Sequence, residues 1–326
     1  MIRRLLLLGL LTAAALLVSV SVGASGIGPR DVLAALAGRA APTVHTIVWE
    51  LRLPRALLAL LAGGALAISG AVFQALLRNP LAEPYVLGVA GGAAVGAVGA
   101  VVLGLAVTAP WLVPAAALVG AGAAILLVFR IAATATRALD TRVLLLAGVV
   151  VGAFFNAVIL LLLIMADVES FRSAVFWMMG SLAGASWRAA VLLALYLAPA
   201  LLVLLSLARA FNAIAVGEET ALHLGVRVER VKWLAYFVAS LAVAASVAAC
   251  GVIGFIGLIV PHALRLLWGA DHRLLLPASV LAGGAFLLLA DTAARTLAAP
   301  GELPVGVITA VIGVPIFVTL LRRSAA

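Results

Sequence analysis

Two arginines flank a rigid proline in Arg52-Leu53-Pro54-Arg55, just before a long apolar run. Guanidinium groups in that position suit two tasks. They can snorkel and anchor a helix at an interface, or they can receive carboxylates from an external protein as charge-assisted pairs. A second polar string, Gln74 to Pro84, carries Arg78-Asn79-Pro80 and Glu83-Pro84 and reads as a tight polar turn, followed by Leu87-Gly88-Val89 and Gly91-Gly92. A third runs from Gly217 to Val226. Helix formers from Glu218 to Leu224, closed by Gly225, read as a short helix with a glycine stop. Glu218 and Glu219 suit the positive end of its dipole. Such a helix is either a solvated loop element or a lever that fits a groove on a cytoplasmic motor.

Catalytic sets are missing from the sequence. The only lysine, Lys232, stands in Val-Glu-Arg-Val-Lys-Trp and in no glycine-rich loop, so the chain lacks the P-loop device for ATP hydrolysis. His45, His223, His262 and His272 form no His-Glu-x-x-His pair. No Gly-x-Ser-x-Gly elbow occurs. Cys250 is the single cysteine, which excludes an internal disulfide and a cysteine metal cluster. We expect no catalytic residue, no metal site and no cofactor bound by this chain.

The elements that carry these strings are set by composition. Of 326 residues, 66% are hydrophobic and 10% charged, whereas soluble domains are about half apolar and about a quarter charged. A soluble domain, a disordered chain, a collagen-like fibre and a disulfide scaffold are all excluded. The apolar runs are continuous, as in helices, and do not alternate as in a transmembrane barrel. The net charge of +9 comes almost wholly from arginines placed singly or in pairs. Without a basic tract, no nucleic-acid partner is expected.

Runs of about 20 apolar residues cross a bilayer. By that measure the chain is a single transmembrane domain, an all-α polytopic membrane protein of about ten transmembrane helices. The spans fall near 5–24, 56–77, 86–106, 112–130, 143–166, 189–208, 233–250, 251–268, 274–291 and 303–321, with a long loop at 209–232. The first is read as a retained helix, since no clear small-residue cleavage site follows it. The seventh and eighth divide one apolar run, cut at Cys250-Gly251. With both termini in the cytoplasm, that side holds 14 of the 21 basic residues, Arg137 among them, while the acids divide evenly. Trp49, Trp111, Trp187, Trp233 and Trp268 sit near span ends and read as interface residues.

Acids are nearly absent from mid-span. Asp291 lies at the outer end of the ninth span, and Asp167 and Glu169 at the end of the fifth. Proton or ion relays place acids deeper, so the energy for any transport is expected from a partner. Leu-Ala-Gly-Gly-Ala occurs at 61–65 and at 281–285. Such pairs can mark a duplicated half, but in a chain this rich in Gly and Ala coincidence is the simpler reading.

Together these motifs resemble the permease subunits of the bacterial ABC importers for iron-siderophore, heme and cobalamin, the FecCD-type family. The resemblance rests on Arg-Leu-Pro-Arg at 52–55, Leu-Arg-Asn-Pro-Leu-Ala-Glu-Pro at 77–84, Leu-Leu-Leu-Ala-Gly at 144–148 and Trp177-Met178-Met179-Gly180. Glu219 to Val226, Gly254 to His262, Asp271-His272-Arg273, Asp291-x3-Arg295 and Glu302 to Thr309 complete it, over residues 45–322.

The resemblance implies a homodimeric type II ABC importer permease in the inner membrane. Its partners would be a second copy of itself, two ATP-binding cassette subunits that hold ATP and Mg, a periplasmic substrate-binding protein, and membrane lipid. Arg52, Arg55 and Arg295 match arginines that receive acids from the binding protein. Glu218, Glu219, Ala221, Leu222, Leu224 and Gly225 match the coupling helix. Thr141 and Arg142 match a cytoplasmic gate, although Arg142 stands where cobalamin permeases can carry a small hydroxyl residue. ATP binding would reorient chiefly the fifth and tenth spans. The default cargo is iron-siderophore, with heme and cobalamin open. The rival is a secondary transporter driven by an ion gradient.

Overall fold

The computed structural model describes the chain apart from residues 24–25, 136–139, 300 and 326. Arg137, assigned above to the cytoplasmic side, and the last residue of the first expected span lie outside the described residues. Among the described residues there is no β-strand.

The chain opens with α1 (Ile2–Ser21), α2 (Pro29–Leu36) and α3 (Pro42–Thr46). A π-helical turn, Ile47–Arg52, carries α3 straight into α4 (Leu53–Leu76). A 3-10 turn at Pro84–Leu87 leads to α5 (Val89–Val102), the one-turn α6 (Leu105–Thr108), α7 (Leu112–Ala135) and α8 (Thr141–Met165). Then come α9 (Val168–Met178), α10 (Trp187–Ser206), α11 (Ala208–Val216) and α12 (Glu218–His223). The last four are α13 (Val228–Cys250), α14 (Ile256–Trp268), α15 (His272–Thr296) and α16 (Val305–Ala325).

Among the described residues, seven helices are long and apolar enough to cross a membrane, and Val89–Val102, Ile256–Trp268 and Val305–Leu320 are shorter apolar helices. Each expected span overlaps one of them, with shifted boundaries. The second begins at Pro42, not 56, because the π turn does not interrupt it. The third stops at Val102, where Gly104 turns left-handed at φ 72°. The eighth begins at Ile256, not 251: residues 251–254 are non-helical, and Gly251 and Phe255 both hold φ 71°. Three helices went unread in the sequence. They are α2, α9, which is capped by the Asp167 carboxylate, and α11.

At the centre stands α4, buried along most of its length against α15, α13, α14 and α10. The two Leu-Ala-Gly-Gly-Ala strings form its crossing with α15. A methyl group on Gly63 would strike the Gly283 carbonyl, one on Gly283 the Gly63 carbonyl, and one on Gly284 would lie 2.6 Å from Leu60 Cδ1. The repeat is thus a packing device in which two backbones touch through matching glycines. Gly92 and Gly120 do the same for α5 and α7.

Side-chain contacts fix the helix directions. Arg55 meets Asp291, so α4 and α15 are antiparallel. Phe73 packs on Tyr236 and the Ser69 hydroxyl donates to the Ala239 carbonyl, so α13 also runs against α4. Thr12 meets Leu281 and Ser19 meets Arg295, so α1 runs with α15. At its beginning, Arg4 reaches the last carbonyl of α14. Gly306 abuts Val252, and Gly313 abuts Phe255 and Ile259, so α16 follows α14. The chain therefore enters α1 and leaves α16 at the same end of the bundle.

Candidate docking and coupling sites

Four charged side chains converge where α4 begins and α15 ends. The Arg55 guanidinium donates through Nε and Nη2 to Asp291 at 2.9–3.1 Å, and through Nη1 to both oxygens of Glu302 at 3.0 Å. Asp291 also pairs with Arg295 Nε at 3.1 Å. The Asp291 side chain is 1% exposed and that of Glu302 43%. One carboxylate is therefore a permanent part of the fold, while the other can move into solvent.

The end of α1 needs donors for its last carbonyls, and arginines supply them. Arg52 Nη1 donates to Val20 O at 2.6 Å and Ser21 O at 2.8 Å. Arg295 Nη2 donates to Ser19 O at 2.8 Å, and Nη1 to Val22 O at 3.2 Å. The structure thus brings the three candidate docking arginines to one cleft, with Leu51 and Glu302 on its rim. It also gives them unequal roles, because Arg52 is only 6% exposed. Beside the cleft, Trp187 Nε1 donates to Trp49 O, Trp49 Nε1 to Ala35 O, and His45 stacks on Trp49. These two tryptophans tie α2, the π turn and α10 together, beyond the interface role expected of them.

Arg78 follows the far end of α4, about 35 Å from Arg55 at 1.5 Å per residue. There α12 occupies Glu218–His223, with Leu224 as C-cap and Gly225 at φ 80°. Ala221 is buried with Ile214 and Val228. It seats the helix and does not present a surface. Glu219, Leu222 and Leu224 face outward. The Glu218 carboxylate meets Lys232 Nζ at 2.6 Å and Arg78 Nη2 at 3.3 Å. Asn212 of α11 donates to the Asp271 carboxylate and accepts from His272 N, which ties this region to the start of α15. Asn212 and the Arg273 amide hold the Asp271 carboxyl below the usual carboxylate range.

The gate candidates Thr141 and Arg142 open α8. The Asp140 carboxylate caps this helix by accepting from Arg142 N at 2.8 Å, and the Arg142 side chain is exposed. The preceding residues 136–139 lie outside the described part.

Residues 251–255 form a break between α13 and α14, with several segments converging on it. Tyr85 Oη donates to Ile253 O at 2.5 Å and accepts from Ile253 N at 3.0 Å. Glu83 Oε1 accepts from Phe255 N at 2.8 Å. Burial pushes the Glu83 carboxyl up, against the opposing pull of that amide. Gln74 donates to Gly257 O and Leu258 O and accepts from Arg265 Nη1 at 3.0 Å. Ser181 N donates to Cys250 O at 2.8 Å, and Val305 N to Gly180 O at 3.1 Å. The polar string Gln74–Pro84 is therefore a clamp on the break. Its density of polar and proline residues was the only sign of this in the sequence. Sequence reasoning missed Glu83, Tyr85, Asp291 and Glu302 as site residues. Among the described residues, no cluster of His, Cys, Asp and Glu could hold a metal ion.

Residues 11–323 match the model of the FecCD transport family. The chain is 43% identical over 325 residues to the vitamin B12 import system permease protein BtuC of Escherichia coli, covering 99% of this chain and 96% of that protein. It is 42% identical over 324 residues to the protein of the same name from Salmonella paratyphi A, with the same coverage. A solved structure described as an inward-facing conformation of a metal-chelate type ABC transporter superposes with a TM-score of 0.89 at 32% identity, covering 99% of this chain and 100% of that one.

Proposed function

This chain belongs to the FecCD transport family, and we propose that it is the membrane-spanning permease subunit of an ATP-driven importer whose cargo is vitamin B12. It is a multi-pass protein of the bacterial inner membrane. The observation that carries the proposal is 43% identity to a vitamin B12 permease along nearly the whole of both chains. Iron-siderophore was the default cargo on the family resemblance alone, and the relatives at 42–43% identity favour cobalamin instead.

In this reading ten helices cross the bilayer, and the end where α1 begins and α16 finishes is cytoplasmic. Basic residues crowd that end, as the sidedness rule requires. Two copies of the chain form the path. Two ATP-binding cassette subunits, with ATP and Mg, seat against α12 through Glu218, Glu219, Leu222 and Leu224, with Ala221 and Gly225 shaping the helix. A periplasmic binding protein docks on Arg55 and Arg295, and on Arg52 in its supporting position. Thr141 and Arg142 form the cytoplasmic gate. Closure of the motors rocks packed helices between two arrangements.

The ion-driven rival finds little support. Among the described residues, Asp291 is the acid buried in a long apolar helix, and Arg55 and Arg295 already neutralise it. A proton or ion relay needs an acid that exchanges its partner.

Affinity purification of the chain from its native membrane, with mass spectrometry of its companions, tests the assignment. The expected companions are a P-loop ATPase and a periplasmic binding protein that binds cyanocobalamin. A chain recovered alone, in a detergent that keeps related complexes whole, would overturn it.

A further inference from the structure

The short helix α12 rests on a slender footing. Six residues cannot hold a helix by themselves, and the apolar seat is Ala221 between Ile214 and Val228. Apolar contact is non-directional, so it does not fix where the helix points. The Glu218 carboxylate does. One oxygen lies 2.6 Å from Lys232 Nζ and the other 3.3 Å from Arg78 Nη2. The Lys232 side chain is 4% exposed, and its other acidic neighbour, Glu229, stands farther off at 3.9 Å.

Arg78 is itself a signal. It closes α4 with φ 46°, while Asn79 N donates back to Gln74 O. Helices usually place glycine in that left-handed position, since other side chains crowd the backbone there. An arginine in that position accepts the crowding and gains a guanidinium that reaches Glu218.

Both partners of Glu218 lead to the same place. From Arg78 the chain runs to Glu83 and Tyr85, which bond the backbone at Phe255 and Ile253. From Lys232 helix α13 runs to Cys250, the last residue before the break. A single carboxylate on α12 is thus connected to both edges of the 251–255 break, through the Asn79–Ala82 turn on one side and through α13 on the other. Continuous packed elements of this kind can carry coupling between sites.

We propose that Glu218 is a positioning residue for transport, which through Arg78 and Lys232 fixes the coupling helix to the two segments that hold the 251–255 break. This inference rests on the importer reading above. Motor movement at α12 is then delivered to the break and not dissipated in a loose loop.

The test reconstitutes the chain in proteoliposomes with the ATPase and binding protein that co-purify with it. Cyanocobalamin is the probe, and the number of cobalamin molecules moved per ATP hydrolysed is the readout. Glu218→Gln should lower that ratio about tenfold, and Arg78→Gln about fivefold, within the range of ordinary coupling energies. Arg78→Lys, which keeps the charge, should recover most of the loss. The double exchange Glu218→Lys with Lys232→Glu should recover part of it. A merely structural role would lower uptake and hydrolysis together and leave the ratio unchanged, which overturns the proposal. Arg78 is half-exposed, so Arg78→Gln decides the matter even if Glu218→Gln does not assemble. Wild-type complex without ATP-dependent uptake would overturn the importer reading instead, and the two failures are distinct.

Discussion

Arg55 and Asp291 stand 236 positions apart in sequence and are joined by three hydrogen bonds of 2.9–3.1 Å. They close the α4–α15 crossing at the end where α1 finishes. Asp291 is shared with Arg295, so two guanidinium groups depend on one buried carboxylate. Asp291→Ala leaves both cations partly buried and short of a counter-charge. Removing one member of a buried ion pair costs about 3–5 kcal/mol. The expected outcome is a clearly lower melting temperature in detergent, with poor recovery of the chain from membranes. Glu302→Gln, at a half-exposed partner, should cost less than about 1 kcal/mol.

That difference carries over to docking. If Arg55 receives carboxylates of a binding protein, Glu302 competes with them for the same guanidinium. Arg55→Glu should weaken association strongly, and the wild-type affinity should fall as salt rises. Glu302→Gln should leave association intact or tighter. Surface binding measured at two ionic strengths checks both. An affinity unchanged by Arg55→Glu, with the same salt response, would reduce the arginines to helix anchors. Arg52→Glu is expected to damage the fold first, because its guanidinium holds the carbonyls of Val20 and Ser21.

The glycine crossing of α4 and α15 gives a third expectation. Gly63→Ala directs a methyl group at the Gly283 backbone, and neither helix can yield without moving its whole axis. Overpacking of this kind costs about 1–3 kcal/mol. Gly122→Ala is the control, because its added methyl would meet nothing within 4 Å. Thermal melting of the two variants side by side should separate them by several degrees.

Much of this architecture was legible in the sequence because apolar length is a strong signal. The apolar run divided at Cys250-Gly251 is broken in the structure over residues 251–255, between the end of α13 at Cys250 and the start of α14 at Ile256. The short helix at Glu218 was visible from its acids and its glycine stop. Other features were hidden for physical reasons. A pair such as Arg55–Asp291 joins residues far apart in the chain, and no local pattern announces it. The role of Leu-Ala-Gly-Gly-Ala required knowing that its two copies touch. Helix α9 was lost because Asp167 and Glu169 read as the end of a span, whereas Asp167 caps a new helix by accepting from the Glu169 and Ser170 amides.

The Asp271 cap predicts an acid response. Its carboxyl lies below the ordinary range because Asn212 and the Arg273 amide donate to the charged form. Its stabilising effect is therefore complete above about pH 4, the unfolded carboxylate value, and is lost as the pH falls through the lowered value. Asp271→Ala should cost about 1 kcal/mol at neutral pH. The melting temperatures of wild type and variant should converge as the solution is acidified below the usual carboxylate range. A gap that persists in strong acid would mean that the carboxylate is not what holds this junction.

Under the proposed function, this chain carries vitamin B12 through a path driven by a separate ATPase. The most direct measurement is uptake of labelled cyanocobalamin into proteoliposomes that contain the purified complex, with ATP inside and the binding protein outside. A tenfold excess of a ferric siderophore serves as competitor, a ratio large enough to shift any site of comparable affinity. The expected result is uptake that requires ATP and is indifferent to the siderophore. Uptake of the siderophore with exclusion of cobalamin would contradict the cargo, and uptake that follows an ion gradient without ATP would contradict the whole mechanism.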